Sequence, residues 1–294
     1  MMDIHKLKAF VAVVEESNIS KAAVRLNMQQ PPLTRLIKSL EDEFNTALFK
    51  RLPRGVEVTE AGKALYFEAV AILAHVDAIP QKVKNIAEGL EGEINIGFTH
   101  SVGLHSFLPN LLRKFREQFP NVSIHLEEES SHTLIDSVRN GTLDLVFLRK
   151  PAESDLGLKN THILNEPLLV ALPSNHPLAS QQGDLDFKDL ATYPFVLYRR
   201  LAGQDLFDII MSKCYEAGFS PKIVQETPRL TTTLNLISAG IGLSIVPKSI
   251  QDFWNTQVVY KPLKSSQKYI APIFAVSKQG EEYIRAKQVL NLLF

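Results

Sequence analysis

At 294 residues the chain is long enough for two or three domains with their own cores, and its 45% hydrophobic and 22% charged content is an ordinary globular balance. Its 32 basic and 32 acidic side chains cancel, which excludes whole-molecule attraction to nucleic acid or an anionic membrane and leaves only local patches to act. One cysteine, Cys214, allows neither an internal disulfide nor a thiolate metal site, and no apolar run approaches the ~18 residues of a membrane span. With no signal-peptide pattern in "MMDIHKLKAFVAVVEES", the expectation is a cytoplasmic protein that needs no metal or cofactor.

In chain order, Leu7, Phe10, Val11 and Val14 fall at i, i+3, i+4 and i+7, one apolar face of a first helix. Ser20 reads as the cap of a short second helix whose Ala22, Ala23 and Leu26 face inward. Asn27 suits the left-handed backbone of a tight turn. Pro31 and Pro32 then mark a helix start, because the first turn needs no N–H from them and their φ is already near helical. Leu33, Leu36, Ile37, Leu40 and Phe44 make the expected buried stripe of this third helix. Gln29, Gln30, Thr34, Arg35 and Lys38 fall on its outer side.

Two short helices, a sharp turn and a third helix with polar and basic groups near its start are helix-turn-helix geometry, which sets N-terminal side chains of the second helix against base edges. Gln and Arg suit bidentate contacts to adenine and guanine. "LFKRLPRGVEVTEAG" follows as strand, turn at Pro53-Arg54-Gly55 and strand, a wing whose Arg51 and Arg54 reach phosphate or the minor groove. Locally, Lys21, Arg25, Arg35, Lys38, Lys50, Arg51 and Arg54 outnumber Glu41, Asp42 and Glu43.

Thr59 caps a long helix in which Leu65, Ala69, Ile72, Val76, Ile79, Val83 and Ile86 alternate at spacings of four and three, a coiled-coil seam that wants a partner helix. Pro80 lies just off the seam and removes the bond to the Val76 carbonyl, which predicts a kink. The glycines of "EGLEGE" end the helix.

With "QQPPLTRLIKSLEDEFNTALFKR" followed by "VEVTEAG", the chain resembles the LysR-type transcriptional regulators. The resemblance implies a homodimer or homotetramer, a winged helix-turn-helix over residues 1–58, a linker helix over 59–90 that pairs antiparallel with its mate, and over 91–294 a two-subdomain α/β sensor built like a periplasmic binding protein. It also implies double-stranded DNA and a small effector as partners. It places the DNA contacts on Gln30, Pro31, Thr34, Arg35, Lys38, Arg51 and Arg54, beside Gln29 at the helix start. The pattern is most similar to the branch that answers to aromatic acids or their ring-cleavage products.

In the remaining two hundred or so residues, alternation at Ile94, Ile96 and Phe98, a helix through Phe107, Leu108, Leu111, Leu112 and Phe115, and strand Val122–Leu126 open a βαβαβ unit. A helix ending at Gly141 and strand Leu143–Leu148 complete it. A second such pattern runs from Pro167 to Leu263, and strand Ile270–Val276 with helix Glu281–Leu293 returns to the first, giving subdomains of about 91–164 with 267–294, and about 165–266. Open α/β sheets bind ligands beyond their strand ends. There stand Thr99, His100 and Ser101, then Ser130 and Ser131, Phe147 and Arg149, Arg199 and Arg200, and Thr231 to Thr233, groups suited to a small anion. Matching family positions single out Ser101 and Ser131.

Two other classes compete. "THSVG" at Thr99–Gly103 approximates the G-x-S-x-G elbow of serine hydrolases, with Thr99 where the strained turn needs glycine. A small-molecule transport receptor would share the sensor architecture, but has no use for a DNA-reading module. Gly240 and Gly242 form a lone G-x-G, expected to be a helix-to-strand turn.

Overall fold

The computed structural model describes residues 2–153, 157–200, 205–252, 257–280 and 283–294, and the chain divides into two compact units, 1–87 and 88–294. In the first, α1 (Ile4–Glu16) starts where the Asp3 carboxylate accepts the Lys6 N–H at 2.8 Å, and α2 (Ile19–Arg25) starts on Asn18. The expected cap Ser20 is thus displaced by Asn18, whose amide oxygen accepts from both Ser20 and Lys21. Asn27 has the anticipated positive φ, 53°. α3 (Gln30–Phe44) opens on both prolines.

The core of this unit is Leu7, Phe10 and Val13 of α1, Ala22 and Ala23 of α2, and Leu33, Ile37 and Leu40 of α3, closed by Leu48, Val56 and Ala69. Phe44, expected inside, is 44% exposed as the last residue of α3. β1 (Phe49–Leu52) and β2 (Gly55–Val58) pair antiparallel as the wing. The wing is tied back twice: Glu41 accepts the backbone N–H groups of Leu48 and Phe49, and Val56 N–H donates to Ser17 O. At Gly55, φ is +106° and a Cβ would stand 2.5 Å from Ser17 O, so only glycine serves.

Thr59 caps α4 (Glu60–Ala87) through its hydroxyl, which accepts the Gly62 N–H at 3.0 Å. The helix is unbroken at Pro80. Leu65 and Ala69, read as the start of the seam, pack into this unit's own core instead. Ile72, Ile79, Val83 and Ile86 stay exposed, Val83 at 61%.

In the second unit, β4 (Val122–Glu128), β3 (Gly92–Phe98) and β5 (Leu145–Leu148) run parallel, and β11 (Ile270–Lys278) lies antiparallel beside β5. β6 (Leu158–Pro173) pairs with β11 along its first half, then continues to pair with β9 (Ser244–Pro247) and β10 (Val258–Pro262) along its second. This one strand therefore belongs to both subdomains. β7 (Pro194–Tyr198) and β8 (Lys222–Thr227) pair parallel, and the Phe195–Leu243 bridge joins β7 to the segment entering β9. That bridge also explains Gly242, whose added Cβ would stand 2.6 Å from Pro194 O.

Helices α5 (His100–Gly103), α6 (Phe107–Gln118), α7 (Ser131–Asn140), α8 (Leu206–Glu216), α9 (Leu230–Ser238) and α10 (Ile284–Asn291) cover the sheets. One core joins Ile94, Ile96, Leu111, Phe115 and Phe147 to Ile273, Val289 and Leu290 from the far end of the chain. A second has its buried residues within 168–271, and a third gathers Leu134 and Val138 of α7 with Val146, Leu148 and Val276. The last helix is helical from Ile284; Glu281, where it was expected to begin, lies outside the described residues. No helix among the described residues is long and apolar enough to cross a membrane.

Candidate nucleic-acid interface and effector cleft

Two sites take shape, one in each unit. On the first, Gln30, Thr34, Arg51 and Gly55 line a polar concavity of about 250 Å³ with Asn18 and Ser20. The Ser20 hydroxyl donates to Gln30 Oε1 at 3.0 Å and the Thr34 hydroxyl to Gln30 O at 3.0 Å, which orients the start of α3. Gln29 occupies the N-cap without a side-chain bond, and Gln29, Gln30, Pro31, Arg35, Lys38, Arg51 and Arg54 are all exposed. Arg25 is spent on Glu15 and Glu16. Among the described residues Arg35, Lys38, Arg51 and Arg54 make no ion pair and no side-chain hydrogen bond. Four such cations on one helix and its neighbouring hairpin, in a chain of zero net charge, concentrate positive charge on a face suited to an anion.

In the second unit the expected effector groups separate into two layers. Beneath lies Arg149, 1% exposed. Its Nη1 is 2.7 Å from the Glu166 carboxylate and donates to Ala271 O, while Nε and Nη2 donate to Ser101 Oγ and O. Glu166 also accepts the Ser249 N–H. Burial presses the guanidinium pKa down and Glu166 opposes it. Arg149 thereby stitches the end of β5 to β6, the strand shared by the two subdomains, and to β11. Phe147 is fully buried against Phe107 and belongs to the core beneath the site.

Above this layer, Thr99 is buried and its Oγ1 has no hydrogen-bond partner among the described residues. His100 Nδ1 lies 3.1 Å from Glu128 Oε1, while its Nε2 is buried and unpartnered. Ser130 caps α7 through Thr133, and Ser131 is buried in its first turn. Across from them, Tyr198 faces His100 with ring centroids 6.5 Å apart and planes 20° apart. Burial, with the charge of Asp205, holds the Tyr198 phenol well above its ordinary value, so it remains a neutral O–H. Arg229, at the N-cap of α9, donates to Glu128 at 3.2 Å. Thr231 is exposed; it is Thr233 that is buried, 2.6 Å from the Thr227 hydroxyl. Arg199 is exposed and Arg200 pairs with Asp208 at 3.1 Å.

Glu128, Tyr198, Thr227 and Arg229 escaped the sequence reading. Tyr198 and Arg229 do sit at strand and helix ends like the residues chosen, so the strand-end rule would have reached them. Glu128 had no signal, since a carboxylate is the wrong sign for an anion site.

The Ser101 hydroxyl accepts from Arg149 Nε at 3.3 Å, and a guanidinium cannot take its proton, so among the described residues Ser101 has no bonded base of the kind a serine hydrolase needs. No group of three His, Cys, Asp or Glu among the described residues could hold a metal.

A winged helix-turn-helix with unpaired cations, a long linker helix and a two-subdomain α/β unit with a polar cleft define a ligand-sensing regulator of nucleic acid. Residues 4–63 match the bacterial regulatory helix-turn-helix protein family of LysR type, and residues 87–293 match the LysR substrate binding domain. The chain belongs to the LysR family of transcriptional regulators. It is 35% identical to the regulator AlsR of Bacillus subtilis over 90% of this chain and 87% of that one. It is 33% identical to BenM of Acinetobacter baylyi over 96% and 91%. Among solved structures, full-length CbnR complexed with its target DNA is 25% identical, with a TM-score of 0.85 over 99% of this chain and 98% of that one. The BenM effector binding domain with its effector benzoate is 28% identical, with a TM-score of 0.61 over 69% and 90%.

Proposed function

We propose that the protein binds specific double-stranded DNA as a homodimer, or a pair of dimers, and adjusts that binding when a small carboxylate enters the cleft of the second unit. The observation that carries the DNA reading is the set of unpaired cations Arg35, Lys38, Arg51 and Arg54 on α3 and the wing. In this reading Gln29, Gln30, Pro31 and Thr34 join them, with Gln30 and Arg35 at base edges and the wing on phosphate. Residues 1–58 read DNA, 59–90 pair with a second copy, and 91–294 sense the effector. The work is done in the cytoplasm, where the DNA is.

The effector is an aromatic acid or its ring-cleavage product. Thr99 Oγ1 and His100 Nε2, buried without partners, and the Arg229 cation support a carboxylate-bearing ligand, with Ser101, Ser130, Ser131 and Thr231 nearby. Benzoate in the similar BenM domain supports the aromatic class. Arg149 and Phe147 hold the floor. A ligand that binds one arrangement of the subdomains better shifts the population toward it.

The test is binding of the purified protein to DNA upstream of its own gene against a scrambled duplex at fixed salt, with and without benzoate. Discrimination of roughly 10³-fold or more is expected; equal affinity for both duplexes refutes specific recognition there. Ser101→Ala is expected to weaken effector binding and leave DNA affinity intact; an unchanged effector affinity would remove Ser101 from the site.

A further inference from the structure

The cleft already contains an anion. Glu128 ends β4 in the first subdomain, and its Oε1 lies 3.1 Å from His100 Nδ1 and 3.2 Å from Arg229 Nη1, which comes from the start of α9 in the second subdomain. A single carboxylate oxygen thus joins the two halves. It occupies the Nδ1 side of His100 and the Arg229 guanidinium that reaches across, the groups an incoming carboxylate would seek. Meanwhile Thr99 Oγ1 and His100 Nε2, one residue apart and both buried, remain without partners. The structure therefore has its charge satisfied from within and its deeper hydrogen-bonding groups unsatisfied.

We propose that Glu128 is a built-in competitor for the effector: it latches the subdomains through Arg229 in the unliganded protein, and an anionic effector binds by taking Arg229 from it. The proposal rests on the carboxylate-effector reading above. Its chemistry is exchange of one ion pair for another. The ligand's carboxylate replaces Glu128 on Arg229, its other polar groups reach Thr99 and His100, and Glu128, already 39% exposed at its side chain, turns to water. Since Arg229 is 62% exposed, the latch is weak and salt-sensitive, as a switch that a small molecule must open has to be. The arrangement also sets specificity: a neutral ligand of the same shape cannot displace Glu128, so the cleft rejects it.

The experiment uses the full chain at low ionic strength, with Glu128→Gln and Arg229→Gln beside the wild type. Amide hydrogen exchange without ligand reads the latch, and calorimetric titration with benzoate reads the competition. Both variants are expected to exchange faster at residues 100–103 and 230–233 with the first unit unchanged. Benzoate binding is expected to move in opposite directions, about fivefold tighter or more in Glu128→Gln and weaker by a similar factor in Arg229→Gln, because one loses a competitor and the other a ligand. A merely structural bridge would move both the same way, which overturns the proposal, as does unaltered exchange. Faster exchange with no benzoate binding by any of the three proteins supports the latch and overturns the aromatic-acid reading instead.

Discussion

Arg35 and Lys38 differ in what they are expected to carry, although both are unpaired cations on α3. Arg35→Ala is expected to cost about 1–3 kcal/mol of specific affinity and to relax preference at one base pair, whereas Lys38→Ala should weaken all sequences alike and reduce the salt slope by about one. Competition binding across a salt series measures both. At Arg149 the stakes are stability: Arg149→Met leaves Glu166 buried and unpaired, an expected loss of about 3–5 kcal/mol, partly restored by replacing Glu166 with an apolar residue as well. Urea unfolding of the two variants checks it. At Asp205, burial pushes the carboxyl up to about 6, against the bond it accepts from Phe207 N–H. Its folded value lies above the unfolded ~3.9, so the group binds its proton more tightly in the native state. The stabilisation it gives is complete below about 4 and is lost as pH rises through about 6. Asp205→Asn keeps the helix cap and removes that loss. The variant's urea midpoint should match the wild type near pH 4 and exceed it near pH 7.

Among elements, those governed by short-range rules were legible. Pro31 and Pro32 start α3, Asn27 takes positive φ, Thr59 caps α4 and Gly141 ends α7, because each depends on residues within a turn or two. Where tertiary packing decides, the reading slipped. Leu65 and Ala69 fit the heptad spacing as well as Val83 does, yet they face α1 and the wing, which sequence spacing cannot reveal. Likewise Ser20 and Asn18 are equally good caps by type, and only the entry path of the chain makes Asn18 the acceptor. The candidate site was partly legible: hydroxyls at strand ends were found because topology dictates where open sheets bind. That Arg149 is a buried stitch and not an exposed ligand group depends on Glu166 and Ala271, distant residues that meet it only through β6 and β11.

For the whole molecule, the exposed strip Ile72, Ile79, Val83 and Ile86 makes self-association the central expectation. Val83→Glu puts a charge where two helices should meet, leaves the core of residues 1–87 untouched, and is expected to shift the protein toward monomer in sedimentation velocity. Specific DNA affinity should fall with it, since a dimer holds two readers on one site.

The chain's route through the second unit bears on its synthesis. The core of the first unit is assembled from residues 7–73, while the core around Ile94 and Phe115 takes Ile273, Val289 and Leu290 from the other end of the chain. At about 5–20 residues per second on the ribosome, roughly ten to forty seconds separate the two events. Every nascent copy therefore carries a finished DNA-reading head well before any sensor exists to govern it, and a prematurely terminated copy would carry that head alone.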